Sequence, residues 1–101
     1  MTTITVEELK SRMDNGEPLI IIDVREPYEY AEFNIGGQLL PLPQIMNMQI
    51  DSIEDSKDKE LIIHCKAGSR SMQACMMLEQ AGFTNVINVT GGLMAWKQKF
   101  G

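Results

Sequence analysis

The chain has 101 residues, 44% of them hydrophobic and 23% charged, which suits one soluble domain built around one core. Its formal net charge of −5 argues against non-specific binding to nucleic acid or to anionic membranes, since both need basic patches. Two cysteines and one histidine argue against a disulfide-stapled scaffold and a structural zinc site. No apolar run approaches the ~20 residues of a membrane span. The first residues, Met1 to Glu8, lack the basic start and apolar core of a signal peptide, so the expected compartment is the cytoplasm.

Ile4 to Leu9 reads as a short strand running into a helix, with Thr5 and Glu8 spaced as a capping box and Asn15-Gly16 as the stop. The apolar run Leu19 to Val24, bounded by Pro18 and Pro27, suits a strand covered on both faces of a parallel sheet. Pro27 to Phe33 reads as a short helix with proline in its first turn, ended by Gly36-Gly37, and Gln38 to Leu42 as a short strand. A helix through Ile45, Met46, Met48 and Ile50 is expected next, followed by an acidic turn. Leu61 to His64 reads as a strand, Ser71 to Ala81 as a helix stopped by Gly82, and Asn85 to Val89 as the last strand. Gly91-Gly92 opens a C-terminal helix that includes Trp96 and Phe100, both expected in the core. Strands alternating with helices predict an α/β fold, an about five-stranded parallel sheet with helices on both faces and one domain over residues 1–101.

The most telling segment is Ile62 to Ser71. An apolar strand ends at Cys65, and Lys66, Ala67, Gly68, Ser69, Arg70 and Ser71 follow before the helix. Ligands of such folds bind at the C-terminal ends of strands. Loop amides and a helix N-terminus favour negative charge there, and Gly68 permits the close approach a cradle needs. Lys66 and Arg70 add cationic charge, while residues 61–78 contain no acid and residues 51–60 contain five. These effects predict a Cys65 thiol lowered from ~8.5 toward the ~3.5–7.5 range of activated cysteines, and a loop that binds small anions such as thiosulfate, sulfate or phosphate.

Five stretches, taken in order, give a resemblance. They are Ile4-Thr5-x-x-Glu8-Leu9, Asp23-Val24-Arg25-Glu26-x-x-Glu29-Tyr30, Cys65-Lys66-x-Gly68-x-Arg70-Ser71, Gly82-Phe83-x-Asn85-Val86 and Gly91-Gly92-x-x-Ala95-Trp96. Together they resemble the single-domain rhodaneses. The resemblance implies a sulfurtransferase with Cys65 as nucleophile, a persulfide intermediate and ping-pong kinetics. The implied substrates are a small sulfur-containing anion or a protein persulfide as donor, such as a cysteine desulfurase would carry, and a thiol as acceptor. No cofactor and no metal are implied, and a monomer is the default. Four residues separate Cys65 from Arg70. The related tyrosine phosphatases have one more, so a cysteine phosphatase or arsenate reductase is the alternative enzyme and a non-catalytic binding module the alternative of another class. The stretch Phe33-Asn34-Ile35-Gly36-Gly37-Gln38 departs from the family's Gly-His-Ile-Pro-Gly-Ala at Asn34 and Gly36.

Other residues have plainer expected roles. Asp23 and Arg25 fit an internal salt bridge near the site. His64 is expected to use its ring locally at the strand end, with a general-base role as the alternative. Arg70 is expected to have a structural or ligand role, because a cation at a helix start opposes the dipole, and the resemblance implies that it braces the loop. Cys75 is expected in the core on the inward face shared with Ala74 and Leu78. Met76 and Met77 flank a polar stripe and are expected to be partly buried, with a methionine-lined contact surface for a protein partner as the alternative.

Overall fold

The computed structural model describes residues 1–101. Five strands form one sheet: β1 Thr2–Ile4, β2 Ile21–Asp23, β3 Gln38–Leu39, β4 Glu60–His64 and β5 Asn85–Val89. Their order is β1-β5-β4-β2-β3 and every pair is parallel, with Ile22 opposite Ile63 and Ile63 opposite Asn88. Five helices connect or follow them: α1 Val6–Asp14, α2 Pro27–Glu32, α3 Leu42–Met46, α4 Ser69–Gln80 and α5 Gly92–Phe100.

Both faces of the sheet are covered, as the apolar strands require. Alternating strand residues divide the core: Ile22, Ile63, Cys65, Cys75 and Leu78 lie in the larger cluster, and Val6, Leu9, Ile62 and Ile87 in the smaller. Thr5 caps α1 with the reciprocal Thr5–Glu8 bonds at 3.1 and 2.9 Å. Pro27 starts α2, where its missing N–H costs nothing.

Four local expectations are corrected. α2 stops at Glu32, before the glycines, because Phe33 is extended. Asn34 then builds the turn: its side chain donates to the Tyr30 carbonyl at 3.1 Å and accepts from the Gly36 amide at 2.9 Å. These two bonds brace the stretch that departs from the family pattern. The helix expected through Ile50 breaks after Met46, where Met48 takes a positive φ of 59°, and a 3-10 segment, Asp51–Ser56, replaces the expected turn. α4 begins at Ser69, two residues early, because Gly68 serves as its N-cap. Phe100 is 38% exposed at the end of α5 and packs edge-on against Trp96, so it is not a core residue.

Strand order also locates a crevice. From β2 the chain moves outward to β3, and from β4 it moves the other way to β5. The C-terminal ends of adjacent strands β2 and β4 therefore flank a topological switch point, where open α/β sheets bind ligands. Arg25 follows β2 there, and Cys65 follows β4.

Candidate active site

Cys65 leaves β4 on the α4 side of the sheet and is 1% exposed. The chain turns back over it. The amides of Gly68 and Ser71 donate to Sγ at 3.1 and 3.3 Å, and the Ser71 hydroxyl lies 3.4 Å from it. Gly68 makes this possible with φ of 109°, a backbone conformation that a side chain would strain. Burial pushes the Cys65 thiol up, but hydrogen bonding from Ser71 and from the amides of Gly68 and Ala67 outweighs it. The thiol is held below the ordinary cysteine range.

The loop is anchored from behind. The Leu93 and Met94 amides at the start of α5 donate to the carbonyls of Cys65 and Lys66 at 3.0 and 2.9 Å. Gly92 permits this approach, since a Cβ there would stand 2.5 Å from the Cys65 carbonyl oxygen.

The cations behave differently from one another. Arg70 makes a two-pronged ion pair with Glu29 of α2, at 2.7 and 3.0 Å, which holds the Glu29 carboxyl down at about 2. The segment free of acids in sequence is thus not free of them in space. Arg70 ties α4 to α2, and its charge is largely matched. Lys66 is exposed and forms no ion pair. With Lys97, Glu29, Glu32, Phe33 and Met94 it lines a cleft of about 230 Å³ beside the loop. Lys97 lies over the Phe33 ring, 4.8 Å from its centre. Ala67 and Ser69 are exposed on the outer rim, whereas Ser71 is buried.

Asp23 and Arg25 form a buried ion pair, with Arg25 Nη2 2.8 Å from Asp23 Oδ2 and Nε 3.0 Å from Oδ1. Arg25 also donates to the Phe33 carbonyl at 2.6 Å, so the pair holds the end of α2 against the sheet. His64 departs from expectation. Its side chain lies on the opposite face of β4 from Cys65, which places its ring away from the thiol. Neither ring nitrogen has a hydrogen-bond partner, and Nε2 is 3.8 Å from Asp23 Oδ2. Burial pushes the His64 imidazole down, against the pull of Asp23, so it stays neutral over most of the physiological range.

Cys75 is fully buried and is pushed up to about 12 by that burial. Met76 is 52% exposed, more than expected, while Met77 packs partly against the core. Two contributors escaped the sequence reading. Glu29 stood in a quoted motif without a role. Asn88 is a buried polar residue in an apolar strand, and that mismatch was the available signal.

A family model described as Rhodanese-like domain matches residues 5–99. A protein named sulfurtransferase from Allochromatium vinosum is 38% identical over 94 residues, covering 92% of this chain and 85% of that protein. The probable adenylyltransferase/sulfurtransferase MoeZ of Mycobacterium tuberculosis is 34% identical over 99 residues. That match covers 97% of this chain but only 25% of MoeZ, so the chain spans about a quarter of the larger relative. The crystal structure of a rhodanese-like domain protein from Staphylococcus aureus superposes with a TM-score of 0.84 at 34% identity, covering 95% of this chain and 91% of that one.

Proposed function

The chain belongs to the rhodanese-like domain family, and on that premise we propose that it is a sulfurtransferase carrying a sulfane sulfur on Cys65. The observation that carries this reading is the convergence of two backbone amides on a buried Sγ at the switch point of the sheet. In the first half-reaction the Cys65 thiolate attacks the outer sulfur of a donor. With thiosulfate, the sulfur–sulfur bond of the donor breaks, sulfite leaves with the bonding pair, and Cys65 holds a persulfide. In the second, an acceptor thiolate attacks the terminal sulfur and Cys65 leaves as thiolate. No oxidant is consumed, and the two halves imply ping-pong kinetics.

Amides preorganised around the sulfur supply stabilisation where negative charge resides, as an oxyanion hole does for oxygen. Lys66 and Lys97 line the cleft together with Glu32 and supply the cations that an anionic donor would meet, whereas Arg70, matched by Glu29, keeps the loop in shape. The short loop, with four residues between Cys65 and Arg70, supports sulfur over phosphorus as the bound element.

The test is intact-mass measurement after incubation with thiosulfate. A gain of one sulfur atom, removed by a reductant and absent in Cys65→Ser, is expected. Hydrolysis of a phosphate ester without sulfur gain would replace the proposal with a phosphatase. Neither activity in a folded protein would leave a binding module.

A further inference from the structure

Asn88 sits on β5 beside Ile63 of β4, on the face of the sheet that also carries Cys65, and is 3% exposed. Its amide nitrogen donates to the Gly68 carbonyl at 3.4 Å. That bond orients the amide so that Oδ1 faces the Ser71 hydroxyl, 2.5 Å away. The hydroxyl has one proton and three acceptors within reach. Asn88 Oδ1 is the nearest, the Gly68 carbonyl is at 3.1 Å and Cys65 Sγ is the farthest at 3.4 Å.

Turning the proton to sulfur would leave the Ser71 and Asn88 oxygens facing each other as two acceptors with nothing between them. Rotating the Asn88 amide to avoid this would instead set its oxygen against the Gly68 carbonyl. Either arrangement leaves a buried acceptor without a donor, which is costly. We propose that Asn88 is a positioning residue that draws the Ser71 hydroxyl proton away from Cys65, leaving the backbone amides as the main donors to the sulfur.

The consequence concerns reactivity and rests on the reading of Cys65 as the nucleophile. A thiolate with fewer donors is more basic, and a more basic thiolate is the stronger nucleophile; the optimum lies near the ambient pH. Asn88 thereby limits how far the cradle tames the sulfur. No charged side chain competes for the role. Lys66 and Arg70 of the loop make no bond to Sγ, Glu29 of α2 is engaged by Arg70, and His64 projects to the other face.

The experiment is the pH dependence of Cys65 alkylation by iodoacetamide, read by intact mass. Asn88→Leu keeps the branched shape but removes both polar atoms. The Gly68 carbonyl and the Cys65 thiolate then compete for the freed hydroxyl proton, and the charge of the thiolate favours it. The measurement is repeated in a Ser71→Ala background. The expected result is a fall in the Cys65 pKa of about one unit, a tenfold gain in thiolate on the acid side. Above the pKa the intrinsic rate should drop about threefold. Both changes should vanish in Ser71→Ala, where no hydroxyl proton remains to redirect. An unchanged or raised pKa overturns the proposal, because a residue that only props the loop would loosen the amides and raise it. A shift that persists in Ser71→Ala overturns it equally. Asn88→Ala, smaller and also without an acceptor, repeats the test if leucine does not fit. Sulfur gain from thiosulfate is measured on the same variants. A wrong sign with sulfur gain intact refutes the role of Asn88 alone, and no gain in the unsubstituted protein refutes the sulfurtransfer reading.

Discussion

Gly92→Ala is the sharpest test of how the site is held together. Gly92 has φ of 55°, and a Cβ placed there meets the Cys65 carbonyl oxygen at 2.5 Å and the Lys66 carbonyl oxygen at 2.7 Å. Both neighbours are backbone atoms of the loop that turns around the thiol, so no flexible side chain can yield. The left-handed conformation alone costs an L-residue about 1–2 kcal/mol. Relief of the clash moves α5 away from the loop and stretches the bonds from the Leu93 and Met94 amides, each worth about 1 kcal/mol. Together these terms reach about 3–4 kcal/mol, or a fall in Tm of roughly 15 °C or more for a domain of this size. Gly36→Ala is the control, since it has φ of 93° but nothing within 4 Å of its Cβ position, and should lose only the conformational part. Thermal melts followed by circular dichroism provide the assay. A Gly92→Ala protein that melts within a few degrees of the Gly36→Ala control would refute the claim that close approach of α5 fixes the loop.

Three further outcomes are expected. His64 is the sole histidine, buried and held neutral, so the unfolded chain takes up its proton first as pH falls through about 6.5; stability should be full above that pH and decline below it. Melts in the range from about pH 7 to pH 5 should show this slope in the unsubstituted protein and a flatter one in His64→Leu, and equal slopes would exclude His64 as the source. Glu29 has a folded pKa of about 2, so its contribution is present above its unfolded value near 4.5 and disappears as pH falls toward 2. Glu29→Gln should cost about 1 kcal/mol in urea unfolding at neutral pH, with the difference narrowing in acid; a constant difference would mean the charge is irrelevant. Cys75, pushed up to about 12 and fully buried, should react with iodoacetamide at least about 100-fold more slowly than Cys65 near pH 8, and comparable labelling by peptide mapping would contradict the assignment of the two thiols.

The architecture was legible because it rests on local signals. Apolar runs bounded by proline and glycine, the Thr5–Glu8 cap and the alternation of strand and helix each act over a few residues, and together they imply a parallel sheet. Errors arose where local signals were weak or contradicted. The apolar spacing of Ile45, Met46 and Ile50 promised one continuous helix, but burying both Ile45 and Ile50 against the sheet needed a break, which Met48 makes. Phe100 had the right spacing for a buried face, yet it is the last residue of α5 and stays 38% exposed, packed against Trp96 and under the Lys10 ammonium.

Site electrostatics were less legible for a different reason. Counting charge along 61–78 treated Arg70 as free, although its partner Glu29 lies 41 residues earlier and meets it only once α2 has docked. Sulfur activation was legible in part. The sequence pointed to loop amides, a helix N-terminus and the cations Lys66 and Arg70 together. In the fold the amides of Gly68 and Ser71 reach the sulfur, in directions that depend on φ at Gly68, while Arg70 is engaged by Glu29. A cysteine followed by a short glycine-containing loop therefore identifies where the charge will sit. How basic that charge is depends on groups that sequence proximity does not reveal. Asn88 reaches the Ser71 hydroxyl from 17 residues away because β5 pairs with β4 at the register that sets Asn88 beside Ile63. A shift of that register by one residue would turn Asn88 to the α1 side and leave the Ser71 hydroxyl without its nearest acceptor. The chemistry of the thiol is in this sense a property of sheet register as much as of the loop that contains it.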